Sequence, residues 1–274
     1  MTRAALVNIL CMPRGGGSIN PVSGSGVVID PLGIILTSAH VAQYVLLSQA
    51  AKVDLACTIR SGAPARPLWR AKTLFISPEW VGAHAKQINE DRPTGSGEHD
   101  YALLAITETL DGKPLPTTFP YLAVDTRPGI AFLDDSVLTA GYPAEFVGGI
   151  VAQQNLYPAS TISPVHNLLT FGTGAVDMFS VGGVIVAQGG SSGGAVVNAW
   201  GRLVGIVSTT SDGDTTAQRD LRALSLSYID QRLASERGLD LQQLLENDPL
   251  LEAKSFSEDR AQALIRTYLN TITY

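Results

Sequence analysis

This sequence predicts an all-β fold, and three observations lead there. Short apolar, β-branched segments recur along most of the chain. Gly, Pro and Asp separate them, and 27 glycines with 15 prolines supply the tight turns a strand-rich chain requires. Hydrophobic residues occupy 45% of the 274 positions against 16% charged, enough for a sizeable core.

Taken in order, strands are expected at 4–12, 26–30, 34–38, 55–60, 71–76 and 102–107. The run from Ala4 to Met12 follows one arginine, as a short signal peptide would, yet it has no small-residue cleavage site and reads as a strand. Asp30-Pro31-Leu32-Gly33 turns the chain between two strands: Pro sets φ, and Gly permits the left-handed region. Residues 86–99 form a polar, Gly-punctuated loop, and three prolines in 111–120 mark a linker. Further strands are expected at 136–142, 149–156, 168–172, 184–188, 194–198, 203–208 and 222–227, with Asp134 and Asp135 in a solvated turn before the first of them. From Ile229 the pattern becomes helical, at 229–236 (stopped by Gly238), 239–246 and 258–269. In the last, Ala261, Leu264, Ile265, Tyr268 and Leu269 line one face, and Ser255 with Glu258 has the spacing of a capping box.

Composition excludes several function classes. A formal charge of −6 without a long basic cluster argues against a nucleic-acid partner. No apolar run is long enough to span a bilayer. Cys11 and Cys57, far apart in the chain, read as free thiols rather than a disulfide framework. No cluster of His, Cys and carboxylates has ligand spacing, so neither a metal nor a cofactor is expected.

Three stretches carry the chemistry. T37-S38-A39-H40 places a histidine after an apolar strand. H99-D100-Y101-A102-L103-L104 places an aspartate at the head of another. G189-G190-S191-S192-G193-G194 sets serines in a turn tight enough to expose a hydroxyl and backbone N–H groups. Each has an ordinary explanation alone: a core histidine, a strand start, a Gly-rich loop. Their coincidence in one order is what carries weight. A rival pattern, G-x-S-x-G at Gly189, Ser191 and Gly193, would make Ser191 the nucleophile of an α/β-hydrolase elbow. That arrangement requires a histidine after the serine. The four histidines are His40, His84, His99 and His166, and all precede Ser191, so the elbow fails.

In these motifs and their order the chain resembles the chymotrypsin-like (trypsin-like) serine proteases, and among them the bacterial HtrA/Deg-like branch, over roughly residues 4–229. The resemblance implies two antiparallel six-stranded β-barrels with the cleft between them: an N-terminal barrel over 1–113 carrying His and Asp, and a C-terminal barrel over 114–229 carrying Ser. A helical extension, 230–274, follows where HtrA proteases carry a PDZ domain; it is too short for one and is expected to dock on the second barrel, with a dimer or partner contact as the sharper alternative. Val41 stands where animal relatives usually have a cysteine.

Residue by residue, the resemblance makes Ser192 the nucleophile, His40 the base, and Asp100 the group that orients the imidazole. The N–H groups of Gly190 and Ser192 would form the oxyanion hole. Ser208 would contact the aspartate, and Ser208, Thr209 and Thr210 would pair with substrate as an added strand. Val186 falls at the floor of the primary pocket, where trypsin has an acid, and Thr210 where a glycine usually keeps the pocket open. Small to medium apolar residues are therefore expected before the scissile bond. Ser191 replaces the aspartate that pairs with a newly cut N-terminus in zymogen-activated relatives, so activity without such cleavage is expected. His84, His99 and His166 read as bystanders, with His99 the one adjoining Asp100. The implied substrate is an unfolded or extended polypeptide, with oligomerisation left open and an extracytoplasmic compartment favoured. The competing class is a latent protease acting mainly as a peptide-binding or chaperone-like protein.

Overall fold

Six strands of the first half close into a barrel in the order β1-β2-β3-β6-β5-β4. A helical turn, α1 (Thr2–Ala5), leads into β1 (Leu6–Pro13), followed by β2 (Val22–Val28), β3 (Ile34–Thr37), helix α2 (Ala39–Leu47), β4 (Leu55–Ser61), β5 (Arg66–Ile76), helix α3 (Pro78–His84) and β6 (Ala102–Thr109). The structure, a computed structural model, describes residues 2–15, 19–90, 95–128, 131–147, 149–172, 175–211 and 213–271.

The apolar runs of β3 and β6 are continuous rather than alternating because both faces of the barrel wall are covered. Ile34, Leu36, Leu103 and Ala105 join one core with Tyr142, Ile206 and Leu224 of the second half. Their neighbours Ile35, Ala102, Leu104 and Ile106 join another with Val41, Val45 and Leu46 of α2. Successive side chains of one strand thus feed two cores, as a period of two requires.

Cys11 and Cys57 are not free: they form a disulfide. They lie directly opposite one another where β1 pairs antiparallel with β4, so pairing register, which their sequence separation conceals, brings the sulfurs together.

The second half is β7 (Ser136–Gly141), helix α4 (Gly149–Gln154), β8 (Ala159–Pro164), β9 (Asn167–Leu169), β10 (Met178–Gly182), β11 (Ala195–Val197), β12 (Leu203–Thr210) and β13 (Leu221–Ser225). Rather than a six-stranded barrel it forms, among the described residues, a curved half-barrel of seven strands ordered β8-β7-β11-β12-β13-β10-β9. Asp134 takes a left-handed turn (φ 66°) ahead of β7. The segment expected as a strand at 149–156 is helix α4. Its C-terminal carbonyls, Ala152 O and Gln153 O, accept hydrogen bonds from the buried Arg60 of β4 at 2.8 and 2.7 Å. That tertiary cap outweighs the β-propensity of its Ile and Val. The segment 184–188 is a turn.

The C-terminal helices are α5 (Leu226–Arg237), α6 (Leu241–Leu245), α7 (Pro249–Phe256) and α8 (Gln262–Leu269). Gly238 ends α5 in the left-handed conformation, as its position predicts. A π-helical turn, Ser257–Ala261, joins α7 to α8. Ser255 therefore lies inside a helix whose start is capped by Asp248, and the Ser255–Glu258 box does not exist. The docking expectation also needs correcting. While α5 packs on β12 and β13, Phe256, Ala261, Ile265 and Tyr268 enter the core of the first barrel beside α2 and α3.

Candidate active site

The site begins where β3 ends. Ser38 leaves the strand in extended conformation, and α2 starts at Ala39, which puts His40 in the first helical turn. N–H groups there have no partner within the helix. That of His40 donates to Asp100 Oδ1 at 2.9 Å, while His40 Nδ1 lies 2.8 Å from Oδ2. Ser208 Oγ donates to Oδ2 at 2.7 Å. Helix start, ring and strand end thus converge on one carboxylate that is 3% exposed. Burial pushes Asp100 up, but the His40 charge and the hydrogen bonds from His40 and Ser208 outweigh it and hold the carboxyl below its ordinary range. Burial likewise acts against a charged His40, and the Asp100 carboxylate overrides it, raising the imidazole above its ordinary value. With Nδ1–H turned to Asp100, the lone pair of Nε2 is left for chemistry.

Asp100 is presented by a tight turn in which its N–H bonds to Gly97 O and His99 takes a left-handed conformation (φ 56°). The His99 ring does not face the cleft. It lies between Glu236, 2.9 Å from Nδ1, and Glu79, 3.0 Å from Nε2, so it braces the turn from behind.

Ser208 owes its direction to an irregularity: the register of β12 on β13 shifts between Val207 and Thr209, leaving Ser208 outside the regular pairing. Such bulges re-aim side chains beside functional sites.

The serine loop is clamped between the two halves. Gly193 N–H donates to Val207 O at 2.7 Å, and Ser25 N–H of β2 donates to Ser192 O at 2.8 Å. Ser25 Oγ donates to Gly190 O at 2.7 Å and accepts from Tyr142 N–H at 2.8 Å. Sequence reasoning passed over Ser25, whose only signal was a serine set between glycines in S23-G24-S25-G26. Gly193 has to be glycine: at φ 83° a Cβ would lie 2.2 Å from Ser25 O and 2.3 Å from Thr37 Oγ1. That close approach brings Ser192 beside the strand end that leads to His40. Among the described residues no Ser192 Oγ–His40 hydrogen bond is formed, and the N–H groups of Gly190 and Ser192 donate to no protein acceptor. Ser191 is fully buried, its Oγ without a hydrogen-bond partner.

The other expected residues are placed less directly. Val186 is fully buried with Val181, Val196, Val204 and Val207 in the core of the second sheet. β12 pairs with β11 only as far as Ile206, so beyond Val207 that edge, from Ser208 through Thr209 to Thr210, carries no strand among the described residues. The side chain of Thr210 lies outside the described residues.

A barrel and a half-barrel meeting at such a site define the chymotrypsin-like fold. The model of the trypsin-like peptidase domain matches residues 24–206, and the chain belongs to that family. Among solved structures it is similar to the apo MamO protease domain from Magnetospirillum magneticum, at 18% identity and TM-score 0.50, over 85% of this chain and 97% of that one. No curated protein matches the chain.

Proposed function

We propose that this protein is a serine endopeptidase in which Ser192, His40 and Asp100 act as nucleophile, base and orienting carboxylate. One observation carries the reading: a buried Asp100 gathers His40 N–H, His40 Nδ1 and Ser208 Oγ, while the Gly190 and Ser192 N–H groups of the serine loop donate to no acceptor among the described residues. His40 Nε2 takes the Ser192 proton as Oγ attacks the carbonyl, and Asp100 stabilises the imidazolium that results. The two free N–H groups receive the developing oxyanion, each such donor being worth about 2.7–4 kcal/mol in the transition state. His40 then protonates the leaving amine, and water repeats the sequence on the acyl-enzyme.

An extended polypeptide would add as a strand to the open edge at Ser208–Thr210. With Val186 rather than a carboxylate behind the primary pocket, small to medium apolar residues are preferred before the scissile bond. The likeness to the HtrA branch, and the division into 1–113, 114–229 and 230–274, belong to this reading. The irregular stretch after β6 supports the first boundary. The Cys11–Cys57 bond supports an oxidising, extracytoplasmic setting.

The absent Ser192–His40 hydrogen bond favours one second reading, a latent protease whose peptide-binding edge is its main asset. Labelling with a fluorophosphonate and mapping the adduct by mass spectrometry separates them, with Ser192→Ala as control. Modification at Ser192 is expected; a folded protein that stays unlabelled overturns the endopeptidase reading in favour of the latent one.

A further inference from the structure

We propose that Glu145 and Arg219, whose contacts among the described residues lie away from the triad, are positioning residues that hold the oxyanion loop with its donors aimed at the substrate. The proposal rests on the endopeptidase reading above. It starts from a difficulty: Gly189, Gly190, Gly193 and Gly194 give the loop wide conformational freedom, and although Ser191 N–H donates to Gln188 O and Ser191 O accepts from Gly194 N–H, the Ser191 side chain at its centre has neither a charge nor a hydrogen-bond partner. Contacts from outside the loop must therefore add to the backbone bonds it makes within itself.

The peptide between Gly189 and Gly190 is the critical one. It is planar and trans, so its C=O and N–H point in opposite directions, and whatever holds the Gly189 carbonyl also aims the Gly190 N–H. Ala144 N–H holds that carbonyl at 2.8 Å. The next residue, Glu145, accepts from Gly189 N–H through Oε2 at 2.9 Å. Residues 144 and 145 therefore grip both polar groups of Gly189.

Arg219 anchors the grip. Its Nη1 and Nη2 meet Glu145 Oε2 and Oε1 at 2.6 and 2.8 Å, the two-pronged geometry that fixes a carboxylate in orientation as well as place. The same guanidinium donates to Ala187 O at 3.1 Å and to Gly213 O at 3.0 Å, and it lies over the Phe146 ring. One side chain, 14% exposed, thus ties the segment before the serine to two other loops. Without the carboxylate, Gly189 N–H loses its acceptor and the 144–145 segment its anchor, freeing the Gly189–Gly190 peptide to turn its N–H away.

The experiment compares wild type with Glu145→Ala, Glu145→Gln, and the swapped pair Glu145→Arg with Arg219→Glu. Each is measured by fluorophosphonate inactivation, thermal melting and the Gly189 amide resonance. Glu145→Ala is expected to lower kinact about a hundredfold, the cost of an ångström-scale misplacement, with KI within about threefold because only donor aim has changed. Glu145→Gln keeps an acceptor for Gly189 and should fall between; it also serves if the alanine variant does not fold. The swapped pair restores the ion pair but offers Gly189 no acceptor and loses the Arg219 bonds to Ala187 O and Gly213 O, so Tm should recover in part while kinact does not. Recovery of both, or wild-type kinact in the alanine or glutamine variant, overturns the proposal. A wild-type protein that is not labelled overturns the endopeptidase reading instead. In that case the loop tether is judged by the Gly189 amide: a shift in Glu145→Gln sustains it and an unmoved resonance overturns it.

Discussion

Asp100 owes its character to what surrounds it: a carboxylate almost out of water that receives three hydrogen bonds, two of them from His40. Asp100→Asn removes the charge that raises His40 and favours the opposite ring tautomer, so kcat is expected to fall about 10⁴-fold. Steady-state kinetics against the Ser192 ester or peptide reaction measures it. The pH dependence has a defined sign. As the proposed base, His40 acts only when neutral, and its value is raised above the ordinary 6.5. The acid limb of kcat/KM should therefore lie above pH 6.5 and move to lower pH in Asp100→Asn, which removes the charge that raises His40. Ser191 predicts the reverse of its neighbour. Its buried hydroxyl has no partner, so Ser191→Ala should leave stability unchanged or raise it by up to about 1 kcal/mol in chemical denaturation, whereas Ser192→Ala should abolish labelling.

At the level of elements, turns and register do the positioning. β3 delivers His40 because a helix starts two residues after the strand ends, and the bulge in β12 turns Ser208 out of the sheet towards Asp100. The β1–β4 register pairs Cys11 with Cys57 and closes a loop of 46 residues. Replacing both by serine should cost about 2–4 kcal/mol, chiefly by freeing the unfolded chain. Urea unfolding of the oxidised protein and the double variant tests this, and equal midpoints would show the bond to contribute nothing.

Across the whole molecule, the two halves and the tail behave as parts of shared cores. Ser25 and Arg60, both from the first barrel, each bind backbone of the second half, and the last helices return to cover the first barrel. Phe256→Ala, which empties a position 4% exposed on the helix that packs against β5 and β6, should destabilise the protein by about 3–5 kcal/mol. If the tail were a loosely docked appendage, the melting temperature would not move.

Strand punctuation, helical period and the three motifs were legible in the sequence because they arise from local chemistry: Gly and Pro at turns, β-branched runs in strands, small residues around Ser192. Most strands of the first barrel and β7, β11, β12 and β13 could be read that way, as could the residues that meet at Asp100. What could not be read depends on contacts between distant parts of the chain. A run of Ile and Val at 150–151 becomes a helix because Arg60, some ninety residues earlier, caps it. Two cysteines become a disulfide because two strands pair in one register rather than another. Ser25, Glu145 and Arg219 come together only once β2 and two distant loops meet around Gly189 and Gly190. Local propensity and motif chemistry act over a few residues and are written into the sequence itself; register, docking and loop support depend on which surfaces bury one another, and only the assembled fold decides that.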